Sequence, residues 1–175
     1  MVDASDLMLG FAHQPTPHYA RNAMRSLGIR AEPKKATFVI YDDEAKQILN
    51  VESLIIPQIL NKPEQLKFAR HSILDILREY QVDVAGIRVA EGNSQNQDAD
   101  RLYLEAVFME SFASSSIRKY FVGRKTSISA RLGITAAQFA SIVKCEADLD
   151  DVEGWPAGKA QAVREAILVA VGATR

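Results

Sequence analysis

The sequence predicts an α/β domain, a mixed five-stranded sheet flanked by helices on both faces in the order β-β-β-α-β-α-β-α. Two observations predict it. Three β-favouring segments follow one another with very short turns between them, the spacing of antiparallel hairpins. Downstream the apolar period becomes three and four residues, and helices then alternate with strands, which requires parallel crossovers. The tripeptide Gly-Ile-Arg also closes two of the strands, as Gly28-Ile29-Arg30 and Gly86-Ile87-Arg88, each just ahead of a glutamate.

Residues 1–25 read as an N-terminal arm, with Pro15, Pro17 and a short helical stretch over Tyr19–Ser26, ahead of a domain spanning 26–175. The first strand is Leu27–Glu32, followed by a Pro33-Lys34-Lys35 turn and a second strand, Ala36–Tyr41. Asp42-Asp43-Glu44 turns the chain into a third strand over Gln47–Ile56. From Pro63 to Tyr80 the residues Leu66, Ala69, Ile73, Leu77 and Tyr80 mark one helical face, with Pro63 suited to the first turn. Val82–Ala90 reads as a buried strand, Gly92-Asn93-Ser94 as a loop, and Asp98–Ala113 as a second helix. Ser116–Val122 is the fifth strand, and Ser114-Ser115-Ser116 is a polar connection into it. Short helices follow over Lys125–Leu132 and Thr135–Val143, and a longer Ala/Val-rich one over Ala157–Val171.

Composition narrows the function classes. The 175 residues suffice for one domain with a substantial core, and 47% hydrophobic with 25% charged residues is the profile of a soluble globular protein. A net charge of −1 creates no global basic field. Cys145 is the only cysteine, so no intrachain disulfide forms and a reducing compartment is expected. Apolar runs such as Ile167–Val171 are too short to cross a bilayer, and Asp3 and Asp6 argue against a secretory signal; the expected location is cytoplasmic, with no membrane partner. His13, His18 and His71 are too scattered for a metal signature, and there is neither a glycine-rich phosphate loop nor a nucleophile elbow.

The stretch Leu27-Gly28-Ile29-Arg30-Ala31-Glu32-Pro33 resembles the first strand of the RuvC-type Holliday-junction resolvases, which reads Gly-Ile-Asp-Pro-Gly in that family. Gly86-Ile87-Arg88 resembles the end of their fourth strand, where an acid follows an isoleucine. Tyr103-Leu104-Glu105-Ala106-Val107 is similar to their next helix, Phe121-Val122-Gly123 to Leu132-Gly133-Ile134 to the following strand and helix, and Arg164-Glu165-Ala166-Ile167 to the helix carrying their last acid. The resemblance covers roughly residues 26–172 and implies a ribonuclease H-like fold. Resolvases of this type cut DNA with two metal ions held by carboxylates. This chain departs from them where it matters: Arg30 and Arg88 stand at the first two acid positions, and Glu165 alone matches the last. A guanidinium repels a cation and cannot ligate it.

Apart from any family, three charges stand alone among apolar neighbours. Arg88 is the only charge in Val84–Ala90, Glu105 the only one in Leu102–Met109, and Glu165 precedes Ala166–Val171 at the edge of the apolar face, a half-solvated position. An unpaired buried charge costs several kcal/mol, so Arg30 and Arg88 are expected to pair with Glu105 or Glu165. Such a cluster is either a salt-bridge network replacing a metal centre or an arginine pocket for phosphate or carboxylate.

Two basic stretches, Lys34-Lys35 and Arg118, Lys119, Arg124, Lys125 and Arg131, the second interleaved with Tyr120 and Phe121, are candidate nucleic-acid contacts or simply solvated faces. The string Val152–Val163 is similar to the hairpin of a helix-hairpin-helix motif, but Pro156 removes an N–H which that contact needs, so a plain turn before a helix is the better reading. Trp155 reads as a packing anchor. The leading expectation is a non-catalytic, resolvase-like domain without cofactor that binds nucleic acid or a DNA-processing protein. Its rivals are a Mg²⁺- or Mn²⁺-dependent nuclease using Glu32, Glu91, Glu105 and Glu165, and an assembly subunit that touches no nucleic acid. None implies a particular oligomeric state. For the nuclease, Glu32 shares a strand face with Arg30, whereas Glu91 points to the opposite face unless its strand ends first.

Overall fold

The computed structural model describes residues 23–92, 98–158 and 160–175. The expected arm up to residue 22, including His13 and His18, lies outside the described residues, as do Asn93, Ser94 and Lys159. The chain runs β1 (Arg25–Glu32), β2 (Lys35–Asp42), β3 (Gln47–Ile55), α1 (Lys62–Glu79), β4 (Val84–Arg88), α2 (Ala99–Ser114), β5 (Lys119–Gly123), α3 (Lys125–Leu132), α4 (Ala136–Val143) and α5 (Gln161–Thr174). The strands form one sheet in the order β3-β2-β1-β4-β5. Neighbours in the β1–β2–β3 meander are antiparallel, whereas β4 is parallel to both β1 and β5. This is the mixed five-stranded α/β sheet that the sequence predicts.

Alternation along the strands divides the core in two. Leu27, Ile29 and Ala31 of β1, Phe38 and Ile40 of β2, and Ala85 and Ile87 of β4 face Ala69, Ile73 and Leu77 of α1 and Leu104, Phe108 and Phe112 of α2. Val39 and Tyr41 face the other way, onto α5, with α3 and α4 packed outside it. Covered by the sheet on one side and helices on the other, α5 is buried all round, and Ala166 to Val171 are fully inaccessible. The start of α1 is fixed by a capping box in which the Asn61 side chain accepts from Glu64 N (3.1 Å) and Glu64 accepts from Asn61 N (3.1 Å).

Several boundaries differ from expectation: β4 is two residues shorter at each end, and the last helix runs from Gln161 to Thr174 rather than from Ala157 to Val171. Two further differences have a visible cause. Arg25 and Ser26 belong to β1 rather than to a helix, because pairing opposite Asp42 and Tyr41 and two tertiary bonds outweigh local propensity: Arg25 N–H donates to the Asp83 carboxylate (2.8 Å) and Ser26 Oγ–H to the Ala170 carbonyl (2.8 Å). The fifth strand begins at Lys119 rather than Ser116, because Ser115 closes α2 by donating through its hydroxyl to the Phe112 carbonyl (2.8 Å). Among the described residues no helix is long and apolar enough to cross a membrane.

Candidate functional site: an alternating ladder of charge

The repeated tripeptide lies side by side in the sheet. β1 and β4 pair in a register that sets Gly28 beside Gly86, Ile29 beside Ile87 and Arg30 beside Arg88. Each position has its own task. The isoleucines enter the core under α1 and α2. The glycines let α5 lie directly on the strands: a methyl group at Gly28 would overlap the Ala166 carbonyl and sit 2.6 Å from Ala170 N, and one at Gly86 would sit 2.8 Å from the Val169 carbonyl oxygen. The arginines, two residues on, share the glycines' face and meet Glu165 near the start of α5 at the C-terminal ends of the parallel strands. In open α/β sheets that edge is where ligands gather.

Two guanidinium groups on adjacent strands repel unless a counter-charge stands between them, and Glu165 of α5 supplies it. Its Oε2 pairs with Arg30 Nε, and its Oε1 lies 3.3 Å from Arg88 Nε. Beyond Arg88, Nη2 reaches Glu91 Oε1 at 2.7 Å; beyond Arg30, Nη1 lies 3.8 Å from Glu105 Oε1, which itself accepts from Arg101 Nε at 2.8 Å. The result is an alternating line of three cations and three anions: Arg101, Glu105, Arg30, Glu165, Arg88, Glu91. It is neutral as a whole.

Local structure fixes every rung. Glu105 is placed by α2, whose Asp98 cap accepts from Arg101 N (3.1 Å), and Arg101 and Glu105 stand one helical turn apart on one face. Both Glu105 oxygens also accept from Ala90 N (3.1 and 3.2 Å). Arg30 Nη1 donates to the Arg88 carbonyl (3.2 Å), and Arg88 Nη1 to the Val89 carbonyl. The Glu105 and Arg88 side chains are only 5% and 7% exposed, so their pairs lie largely out of solvent screening. Burial lowers the pKa of Arg30 from the ordinary arginine value; Glu165 opposes this, and Arg101 and Arg88 reinforce it.

The candidate residues sort cleanly. Arg30, Arg88, Glu105 and Glu165 come together. Glu165 is more enclosed than the half-solvated position expected for it, with its side chain 13% exposed, because both arginines close over it. Glu91 joins them because β4 ends at Arg88, two residues before the expected end, and the chain turns back to the same face. Glu32 stands apart, paired with Lys35 across the hairpin (3.3 Å). Among the described residues no three His, Cys, Asp or Glu side chains are grouped so as to hold a metal ion.

The basic stretches divide by position. Lys34 and Lys35 at the β1–β2 turn, with Arg124 and Lys125 at the start of α3, lie at the ladder's end of the sheet. Arg118 and Lys119 lie at the opposite end, where Arg118 pairs with Asp83 (2.8 Å). Arg131 lies over the Phe121 ring (4.0 Å) and donates to the carbonyls of Gly172 (3.2 Å) and Arg175 (2.9 Å). The continuous surface suggested by Arg118–Arg131 is therefore interrupted, because β5 carries the chain across the sheet between its two halves.

The start of the Val152–Val163 string meets the beginning of β3 in an isolated parallel bridge between Glu153 and Gln47. Glu153 N donates to the Lys46 carbonyl (2.8 Å), Ile48 N donates to the Glu153 carbonyl (2.9 Å), and Gly154 has a φ of 81°. Trp155 packs on the second core with the Arg164 guanidinium 4.6 Å above its ring, and Arg164 also pairs with Asp148. Sequence reasoning missed Arg101 and Arg164. Arg101 had a readable signal in its spacing of four from Glu105; Arg164 had none, since its partners come from a distant loop.

No family description matches the chain, and no curated protein matches it in sequence. Solved structures do match. The chain is similar to Thermus thermophilus RuvC, with a TM-score of 0.63 at 11% identity over 85% of this chain and 92% of that one. It is also similar to T. thermophilus RuvC in complex with a Holliday junction substrate, with a TM-score of 0.62 at 10% identity and the same coverage. The yeast mitochondrial Holliday junction resolvase matches with a TM-score of 0.55 at 14% identity, over 85% of this chain and 78% of that one. With the strand order and the flanking helices, these likenesses give the chain a ribonuclease H-like fold of the RuvC type.

Proposed function

We propose that this RuvC-type domain binds nucleic acid and does not cut it with metal ions. One observation carries the reading: at the C-terminal ends of β1 and β4, Arg30 and Arg88 stand in register around Glu165. The residues present do not fit a pair of divalent ions. Each carboxylate of the ladder is engaged by a guanidinium, and three fixed positive charges among three carboxylates oppose the gathering of divalent ions there. The resemblance that assigns metal-binding acids to the positions of Arg30 and Arg88 supports the same reading.

Nucleic acid is the favoured partner on two grounds. Lys34, Lys35, Arg124 and Lys125 lie at the same end of the sheet as the ladder, and a phosphodiester backbone is the polyanion such a rim would track. The matched RuvC complex holds a Holliday junction, which makes branched DNA the first probe. Fluorescence anisotropy with a four-way junction and a plain duplex at low salt tests this, with Mg²⁺, Mn²⁺ or EDTA present. Expected are binding that falls with salt, no dependence on the metal or chelator, and no strand cleavage. Metal-dependent cleavage overturns the reading, and so does an absence of binding. Arg124→Ala and Lys125→Ala should each lower the salt slope by about one. Arg118→Ala, at the far end of the sheet, should leave it unchanged.

A further inference from the structure

We propose that Glu91 is a built-in stand-in for a phosphate, occupying an anion subsite that a nucleic-acid phosphate enters by displacing it. The inference rests on the nucleic-acid reading above and names the atoms that would receive the backbone. Glu91 Oε1 accepts at once from Arg88 Nη2 (2.7 Å) and from the backbone N–H of Lys125 (3.0 Å), the first residue of α3. A buried guanidinium and a helix N-terminal amide converging on one oxygen form a set of donors suited to phosphate. Arg124 is alongside, exposed, with its Nε donating to the Ala90 carbonyl (3.3 Å).

The ladder leaves Arg88 incompletely satisfied, on the side that faces Glu165 rather than Glu91. Arg88 is 6% exposed, yet its Nε makes no hydrogen bond; Glu165 lies 3.3 Å away without the alignment for one. Glu91 also differs from the other two carboxylates of the ladder. The Glu105 and Glu165 side chains are 5% and 13% exposed and held on helices, whereas that of Glu91 is 38% exposed and follows β4 on irregular backbone. Withdrawing Glu105 or Glu165 would leave buried cations uncompensated. Exchanging Glu91 for another anion keeps the alternation of charge intact.

The test uses the full chain and three variants. Glu91→Gln keeps an oxygen for the Lys125 amide but removes the competing charge. Glu110→Gln removes the same formal charge on the opposite flank of α2, where Glu110 pairs with Arg70 (2.8 Å). Glu91→Asp keeps the charge on a shorter side chain that cannot bridge both donors, and it replaces Glu91→Gln if that variant fails to fold. Inorganic phosphate, titrated against chloride at equal ionic strength, should raise the melting midpoint of Glu91→Gln more than that of the wild type or Glu110→Gln. Four-way-junction affinity should tighten about tenfold in Glu91→Gln, the effect of relieving one like-charge contact, and stay unchanged in Glu110→Gln. Equal responses in Glu91→Gln and Glu110→Gln overturn the subsite. If both variants bind the junction with wild-type affinity, the subsite falls while the nucleic-acid reading stands. If Glu91→Gln gains phosphate stabilisation but no variant binds DNA, the subsite stands and the nucleic-acid reading falls.

Discussion

Glu165 serves two guanidinium groups with one carboxylate, so its loss is felt twice. Glu165→Gln would leave Arg30 and Arg88 side by side, largely buried and without their shared counter-charge. The expected destabilisation is about 3 kcal/mol or more, read as a fall in the urea midpoint at constant slope. Replacing the trio together, as Arg30→Met, Arg88→Met and Glu165→Leu, should cost less than Glu165→Gln alone, because no charge is then stranded. Glu105 would keep Arg101 and the Ala90 amide, and Glu91 the Lys125 amide. If the triple variant were instead less stable than Glu165→Gln, the ladder would be a source of stability rather than a mutually compensated set. At this scale the sequence is informative wherever a charge interrupts an apolar run, as at Arg88, Glu105 and Glu165. It is uninformative for Glu91, whose place depends on β4 stopping at Arg88, and for Arg164, whose partners Asp148 and Trp155 come from the connection between α4 and α5.

Among the elements, α5 makes the site. It lies on β1, β4 and β2, and only glycine at 28 and 86 allows that approach. Gly28→Ala should be the more damaging of two matched substitutions, since its new methyl overlaps helix backbone that cannot give way. Gly86→Ala meets the Val169 carbonyl at 2.8 Å and should cost less, on the order of 1–3 kcal/mol. Urea denaturation of the two variants measures the order, and the reverse ranking would mean that α5 docks closer to β4 than to β1. The helices and strands were legible because their apolar periods are long and regular, as in α1, where Ala69, Ile73 and Leu77 are all buried. The tasks of the glycines were not, since a glycine in a strand signals a close approach without naming what approaches. The basic stretch after Ser116 straddles the predicted fifth strand, so its division between the two ends of the sheet was already implicit in the sequence.

For the whole molecule, a ladder that takes no metal, as proposed, has a thermal consequence. Millimolar MgCl₂ and EDTA should leave the melting midpoint unchanged, because a ligand that does not bind the native state cannot stabilise it. A saturating rise with Mg²⁺ would show carboxylates free enough to ligate. At this scale the sequence specified most of the architecture, since the meander and the crossovers leave few ways to order five strands. The site followed only where strand register did part of the specifying, as it did for the paired arginines.

That register has a kinetic consequence. Pairing β1 with β4 brings Arg30 next to Arg88, while the carboxylate that reconciles them lies on α5, more than a hundred residues along the chain from β1. Until α5 docks, the central strand pair carries uncompensated repulsion at one end and a bare apolar face. The sheet is therefore expected to close late and together with α5 rather than before it, with a rate limited by a long-range contact. Salt should ease the early repulsion, so refolding would quicken with ionic strength before the finished protein gains any stability from it.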